Sequence, residues 1–181
     1  MADAANAEPR PAYTVTARVL HWITAVLVLV QIPLGIGIAN FKFGDTLYNL
    51  HKSIGAVLIF IVVFRLIYRL THAPGPLPSD IPHVQRVAAE ALHWTLYALL
   101  VAQGLAGWIG TSAYPAPIPV FGLFELPHIW REDRAFSDQV MMVHRFVGIA
   151  LAVLLVGHIG AALQHHFIRK DRVLMRMMTG G

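Results

Sequence analysis

Ten histidines and no cysteine is the unusual feature of this 181-residue sequence. The missing thiols exclude disulfides, iron–sulfur clusters and thiolate zinc sites, and leave imidazole as the obvious ligand for any bound metal. Two of the histidines open similar stretches, HKSIG at 51–55 and HRFVG at 144–148. In each, a cation follows the histidine and a glycine stands four positions after it. His158 lies in LLVGHIGAAL, among apolar residues and glycine. An ionisable group inside a long apolar segment is costly and by default functional. His144 precedes His158 by 14 residues. On a helix that is ~1400°, within ~40° of four full turns, with a rise of ~21 Å. Both imidazoles therefore project from one helix face, near opposite ends of a membrane-length segment.

His51 starts the second apolar segment and is level with His144; His21 lies near the start of the first and on the side of His158. Two bis-histidine sites follow, His51 with His144 and His21 with His158. A compact zinc or copper ion would want three or four ligands close together. Two separated pairs suit planar macrocycles better, and histidine is an axial ligand of haem iron in the core of helix bundles. Depth counting alone leaves His165 open as an alternative to His158, since it lies 21 residues after His144 and roughly 60° off that face. The facing argument favours His158.

Glycine permits close backbone approach. Gly55 and Gly148, one turn beyond His51 and His144, are read as making room for a porphyrin; Gly35 is read as ordinary small-residue helix packing. Haem propionates need cationic partners, and Lys52 and Arg145 each follow an outer-site histidine. Arg65, 14 residues after His51, is level with the inner site and is read as a further propionate contact, whereas Arg69 snorkels to the surface. His93, in EALHWTLY, is assigned to the membrane interface beside Trp94.

The elements that position these residues follow from hydropathy. Hydrophobic residues make up 56% of the chain and charged residues only 13%, about half the charged fraction of a soluble domain. A helix needs ~20 apolar residues to cross a bilayer. Four segments qualify, at about 15–39, 49–70, 87–112 and 140–168. The first is too long for a signal-peptide core and lacks a small-residue cleavage pattern, so it is read as a span. The expected fold is all-α: an integral membrane four-helix bundle forming a single membrane domain over residues 1–181.

Lysine and arginine set its orientation. The N-terminus, the link between spans two and three, their flanks and the C-terminus hold nine, among them Arg10, Arg65 and Arg169. The other side holds Lys42, Lys52, Arg131, Arg134 and Arg145. Both termini are therefore expected in the cytoplasm. The net charge of +4 is explained by this topology and does not point to nucleic acid. THAPGPLPSDIPH (71–83) reads as a stiff turn. SAYPAPIPVFGLFELPHIW (112–130), apolar and rich in proline, reads as a lid on the outer membrane face.

These residues resemble the bacterial cytochrome b561 family of di-haem membrane proteins. More distantly, they are similar to cytochrome b subunits of membrane hydrogenases and formate dehydrogenases. The likeness is carried by His21-Trp22 opening the first span, by HKSIG, and by His144 and His158 spaced by 14. VFGLFELP (120–127) and HHFIRKDRVLMRMM (165–178) extend it over nearly the whole chain. The resemblance implies two b haems, with iron bound by His51/His144 and His21/His158, in the bacterial inner membrane. It also implies electron exchange with a quinone such as ubiquinone, and members that oxidise superoxide.

The reading is thus a transmembrane electron relay through two b haems, a quinone-linked oxidoreductase with no catalytic residue assigned beyond the ligands. The rival is a membrane anchor that receives electrons from a partner dehydrogenase or hydrogenase subunit. A histidine-lined metal transporter is disfavoured, because the spans hold few carboxylates.

Overall fold

The structure, a computed structural model, describes residues 12–41, 44–76 and 81–180. Arg10 and Lys42, two of the orientation cations, and residues 77–80 of the proline-rich link lie outside it. Four long helices dominate: α1 Val15–Asn40, α2 Asp45–Thr71, α3 His83–Ala113 and α4 Arg134–Gln164. A two-stranded antiparallel hairpin, β1 Pro119–Val120 and β2 Phe124–Glu125, joins α3 to α4. One wide helical turn, His165–Arg169, follows α4 and leads to a short helix, α5 Val173–Met178. Each of the four long helices is long and apolar enough to cross a membrane, and 26 residues of α1 extend ~39 Å against a hydrocarbon core of ~30 Å.

The helices outrun the apolar windows because their first turns are set by polar caps. Thr14 Oγ1 accepts from Ala17 N at 3.2 Å, and Asp133 Oδ1 accepts from Phe136 N at 3.0 Å, which starts α4 six residues before its apolar run. At the other end, Lys170 with φ 54° stops the wide turn that follows α4.

α1 packs on α2, α3 on α4 and α2 on α3. The buried centre is thin, formed by Val28, Leu58 and Val62 with Leu100 and Leu155 against them. Large apolar side chains such as Phe64, Val153, Val156 and Phe167 point outwards. That inverted dressing suits a bundle whose solvent is lipid, where close packing and interhelical polar contacts hold helices together.

The segment between α3 and α4 closes one end. Ser53, 3% exposed, donates to Pro119 O at 2.8 Å and accepts from Phe121 N at 3.0 Å. Trp108 Nε1 donates to Pro127 O at 2.9 Å, and Ser137 Oγ to Gly110 O at 2.7 Å. The hairpin is thereby fixed on the start of α2, two residues from His51.

The C-terminal tail ties the opposite end. Arg176 is 6% exposed; its guanidinium donates to Pro76 O at 2.7 Å and to Gly75 O, and lies over the Tyr13 ring. Gly75 N in turn donates to Ala12 O. Arg18 and Trp22 of α1 donate to the carbonyls of Met178 and Met177. Asp171 bonds His165. Its burial favours the neutral acid, yet the bonds from His165 and Val173 N and the charge of Arg169 hold its carboxyl below the usual range. Removing a buried charged donor from two carbonyls costs ~1.5–3 kcal/mol per bond. Arg176→Ala is therefore expected to lower the melting temperature in detergent by roughly 6–24 °C. Thermal unfolding followed by circular dichroism checks it.

Candidate functional site

The histidines meet in the core in two layers. Near the hairpin, His51 of α2 faces His144 of α4, with ring centroids 6.2 Å apart and planes at 82°. Towards the tail, His21 of α1 faces His158 of α4, with centroids 6.3 Å apart and planes at 67°. Two imidazoles on opposite sides of one metal, with bonds of about 2.0 Å and each nitrogen about 1.15 Å from its ring centre, have centroids about 6.3 Å apart. Both pairs have that spacing, so each can span one iron. Among the described residues no three His, Asp or Glu side chains gather around a point as a compact ion requires.

His165, the alternative to His158, is instead drawn to Asp171 in the tail. His93 does not stand apart at the interface: its ring is 5.4 Å from that of His158, edge to face. That is an edge-to-face aromatic contact, closer than the spacing of two ligands on opposite sides of one metal. Arg65 donates to His21 Nδ1 at 2.8 Å and lies over the Tyr97 ring, beside the inner pair. Trp22 meets His21 edge-on at 5.3 Å. Lys52 donates to Pro117 O at 2.7 Å, which ties its ammonium to the lid. Arg145 is exposed.

The glycines are explained by a reciprocal fit between paired helices. A Cβ on Gly35 would stand 3.1 Å from His51 Cε1, and one on Gly107 would stand 3.1 Å from His144 Cε1. Gly35 is thus more than small-residue packing, since the ring of His51 rests on it. Gly55 and Gly148 face glutamine amides: their added Cβ atoms would meet Gln31 Nε2 at 3.0 Å and Gln103 Nε2 at 3.1 Å. So the histidine of one helix sits on a glycine of its neighbour, and the glutamine of the neighbour sits on a glycine of the histidine's helix.

Gln31 and Gln103 carry no functional signal by residue type alone, although a repeat marks them. Leu20-His21-Trp22 recurs as Leu92-His93-Trp94, with glutamine ten and glycine fourteen residues after each histidine. The α1–α2 and α3–α4 hairpins therefore carry matching devices at the layer near the β-hairpin. At the layer towards the tail the match fails, because Arg65 occupies in α2 the register that His158 occupies in α4.

A four-helix membrane bundle with facing histidines in its core is the architecture of a membrane b-type cytochrome. The chain belongs to the prokaryotic cytochrome b561 family, whose model matches residues 12–180. It is 38% identical to Cytochrome b561 homolog 2 of Escherichia coli (strain K12) over 171 residues, covering 92% of this chain and 90% of that one. It is 28% identical to Cytochrome b561 homolog 1 of the same organism, covering 88% and 92%. It is 26% identical to a Yersinia pestis protein named Probable superoxide oxidase CybB, covering 88% and 91%. The family and the four spans make it a multi-pass protein of the bacterial inner membrane that binds b-type haem and transfers electrons.

Proposed function

We propose that this cytochrome holds two b haems, one in each leaflet, and relays single electrons between its outer face and a quinone. The observation that carries the reading is the common centroid spacing of the two pairs, 6.2 and 6.3 Å, at layers ~21 Å apart along α4. Each haem, when bound, supplies a one-electron iron couple. His51 with His144, and His21 with His158, would supply the imidazoles that hold each iron. Gly35 and Gly107 let the outer rings approach the helix axes, and Gly55 and Gly148 admit the glutamines beside them. Once His21 binds through Nε2 and carries its proton on Nδ1, the Arg65 guanidinium that now donates to that nitrogen would be released to pair a propionate at the inner layer, with Arg145 and Lys52 in that role outside. The lid keeps water from His51. Both termini face the cytoplasm, as the excess of lysine and arginine there supports.

The second reading makes superoxide the outer electron donor and ubiquinone the acceptor. It is favoured by the exposed cation Arg145 next to His144, which attracts an anion to the outer pair. The test is a reduced-minus-oxidised spectrum of the purified protein with haem quantitation, followed by stopped-flow reduction of a ubiquinone analogue. Two low-spin b haems per chain and quinone-linked reoxidation are expected. One haem or none would overturn the two-site assignment, and haems that the quinone leaves reduced would overturn the acceptor.

A further inference from the structure

The two outer ligands are supported by matching residues but are not equally satisfied. A histidine bound to iron through Nε2 carries its proton on Nδ1 and needs an acceptor there. For His144 the acceptor is present: Nδ1 lies 3.0 Å from the backbone oxygen of Gln103. His51 Nδ1, in contrast, is buried with no hydrogen-bond partner. The side-chain oxygen of Gln31 is also buried and without a partner. These two orphans sit on residues already tied to each other, since Gln31 Nε2 donates to His51 O at 2.8 Å. The Gln31 amide is further confined against Gly55. A buried donor and a buried acceptor on linked residues complement each other, and either is costly to leave unmade.

We propose that the Gln31 side-chain oxygen accepts from His51 Nδ1–H and thereby sets the reduction potential of the outer haem. Gln31 is a positioning residue that acts through His51. The inference rests on the ligand assignment above. An acceptor on Nδ1–H raises the basicity of a ligating imidazole and so favours ferric over ferrous iron. Gln103 has a buried, unpartnered side-chain oxygen too, but its histidine already uses the backbone oxygen. Its amide nitrogen lies 3.1 Å from His144 Nε2, the nitrogen an iron would take, whereas the Gln31 amide donates to the His51 backbone. The two glutamines stand at matching positions but meet their histidines differently, and are predicted to act unequally.

The test is a potentiometric titration of the full-length, haem-loaded protein, read at both haems and alongside the electron paramagnetic resonance signal of the outer one. Gln31→Leu is expected to raise the outer potential, by ~59 mV for a tenfold change in the ferric-to-ferrous balance, and to move its resonance signal. Gln31→Glu is expected to lower it. The inner haem should not move. Gln103→Leu and Gln103→Glu make the same changes in polarity and charge at the matching position and should shift the outer potential much less. If Gln31→Leu fails to retain the outer haem, the comparison of Gln31→Glu with Gln103→Glu decides. Equal shifts at positions 31 and 103, or none, would overturn the proposal while leaving the haem assignment standing. Retention of both haems by His51→Ala would instead bring down the assignment and the proposal with it.

Discussion

Replacing His158 with alanine is expected to reduce haem content from two per chain to one and to leave the outer haem spectrally intact. His158 is one of two rings at ligation spacing in the inner layer, and its partner His21 cannot hold a low-spin iron alone. Neither neighbouring histidine replaces it. His93 touches the His158 ring from the side at 5.4 Å, and His165 is engaged by Asp171 in the tail. The cavity left by an imidazole at a half-buried position adds a stability cost of ~1–3 kcal/mol, below what unfolds a membrane bundle. Haem loss should therefore occur in a folded protein. Pyridine haemochrome quantitation together with circular dichroism separates the two effects. His165→Ala, measured in parallel, should retain both haems. Loss of a haem from His165→Ala and not from His158→Ala would reverse the inner-ligand assignment.

The spans and the histidine pairing could be read from sequence because both depend on simple periodicities. Hydropathy over ~20 residues reports membrane crossing directly. A spacing of 14 residues fixes the common face of His144 and His158 whatever the neighbours do. Helix starts were less legible. Asp133 caps α4 well outside the apolar run, and α2 begins at Asp45, ahead of its apolar window, because polar first turns reach beyond the hydrocarbon. The glycines were legible as a pattern but not as contacts. A glycine in sequence says that something comes close, and only the packed helices show what: His51 at Gly35, His144 at Gly107, and amides at Gly55 and Gly148. Gln31 and Gln103 were obscured by the same limit, since an amide in a span draws attention only when its partner is known. The LHW repeat would have flagged them, because its second copy carries glutamine and glycine in the same register.

Gly107→Val is expected to abolish the outer haem and spare the inner one, the reverse of His158→Ala. Even the first carbon added at Gly107 would stand 3.1 Å from His144 Cε1 and 3.4 Å from Nδ1. Valine places two methyl groups beyond it, and its stiff χ1 leaves few ways to turn them aside. The His144 ring cannot easily give, because its Nδ1 is bonded to Gln103 O at 3.0 Å on the very helix that carries the new side chain. Relief must come from separating α3 and α4 or from rotating His144 away from His51. Either motion breaks the 6.2 Å spacing on which a shared iron depends. Overpacking of this kind costs about 1–3 kcal/mol, so the bundle should fold and the inner haem remain. Gly107→Ala meets the ring with a single methyl and should weaken outer haem retention without abolishing it. Gly160→Val is the control: nothing lies within 4 Å of a Cβ added there, and both haems should stay. Haem counts together with the outer-haem spectrum of the three variants decide the matter. Two intact haems in Gly107→Val would show that the close contact between this glycine and His144 does not set the ligand's position.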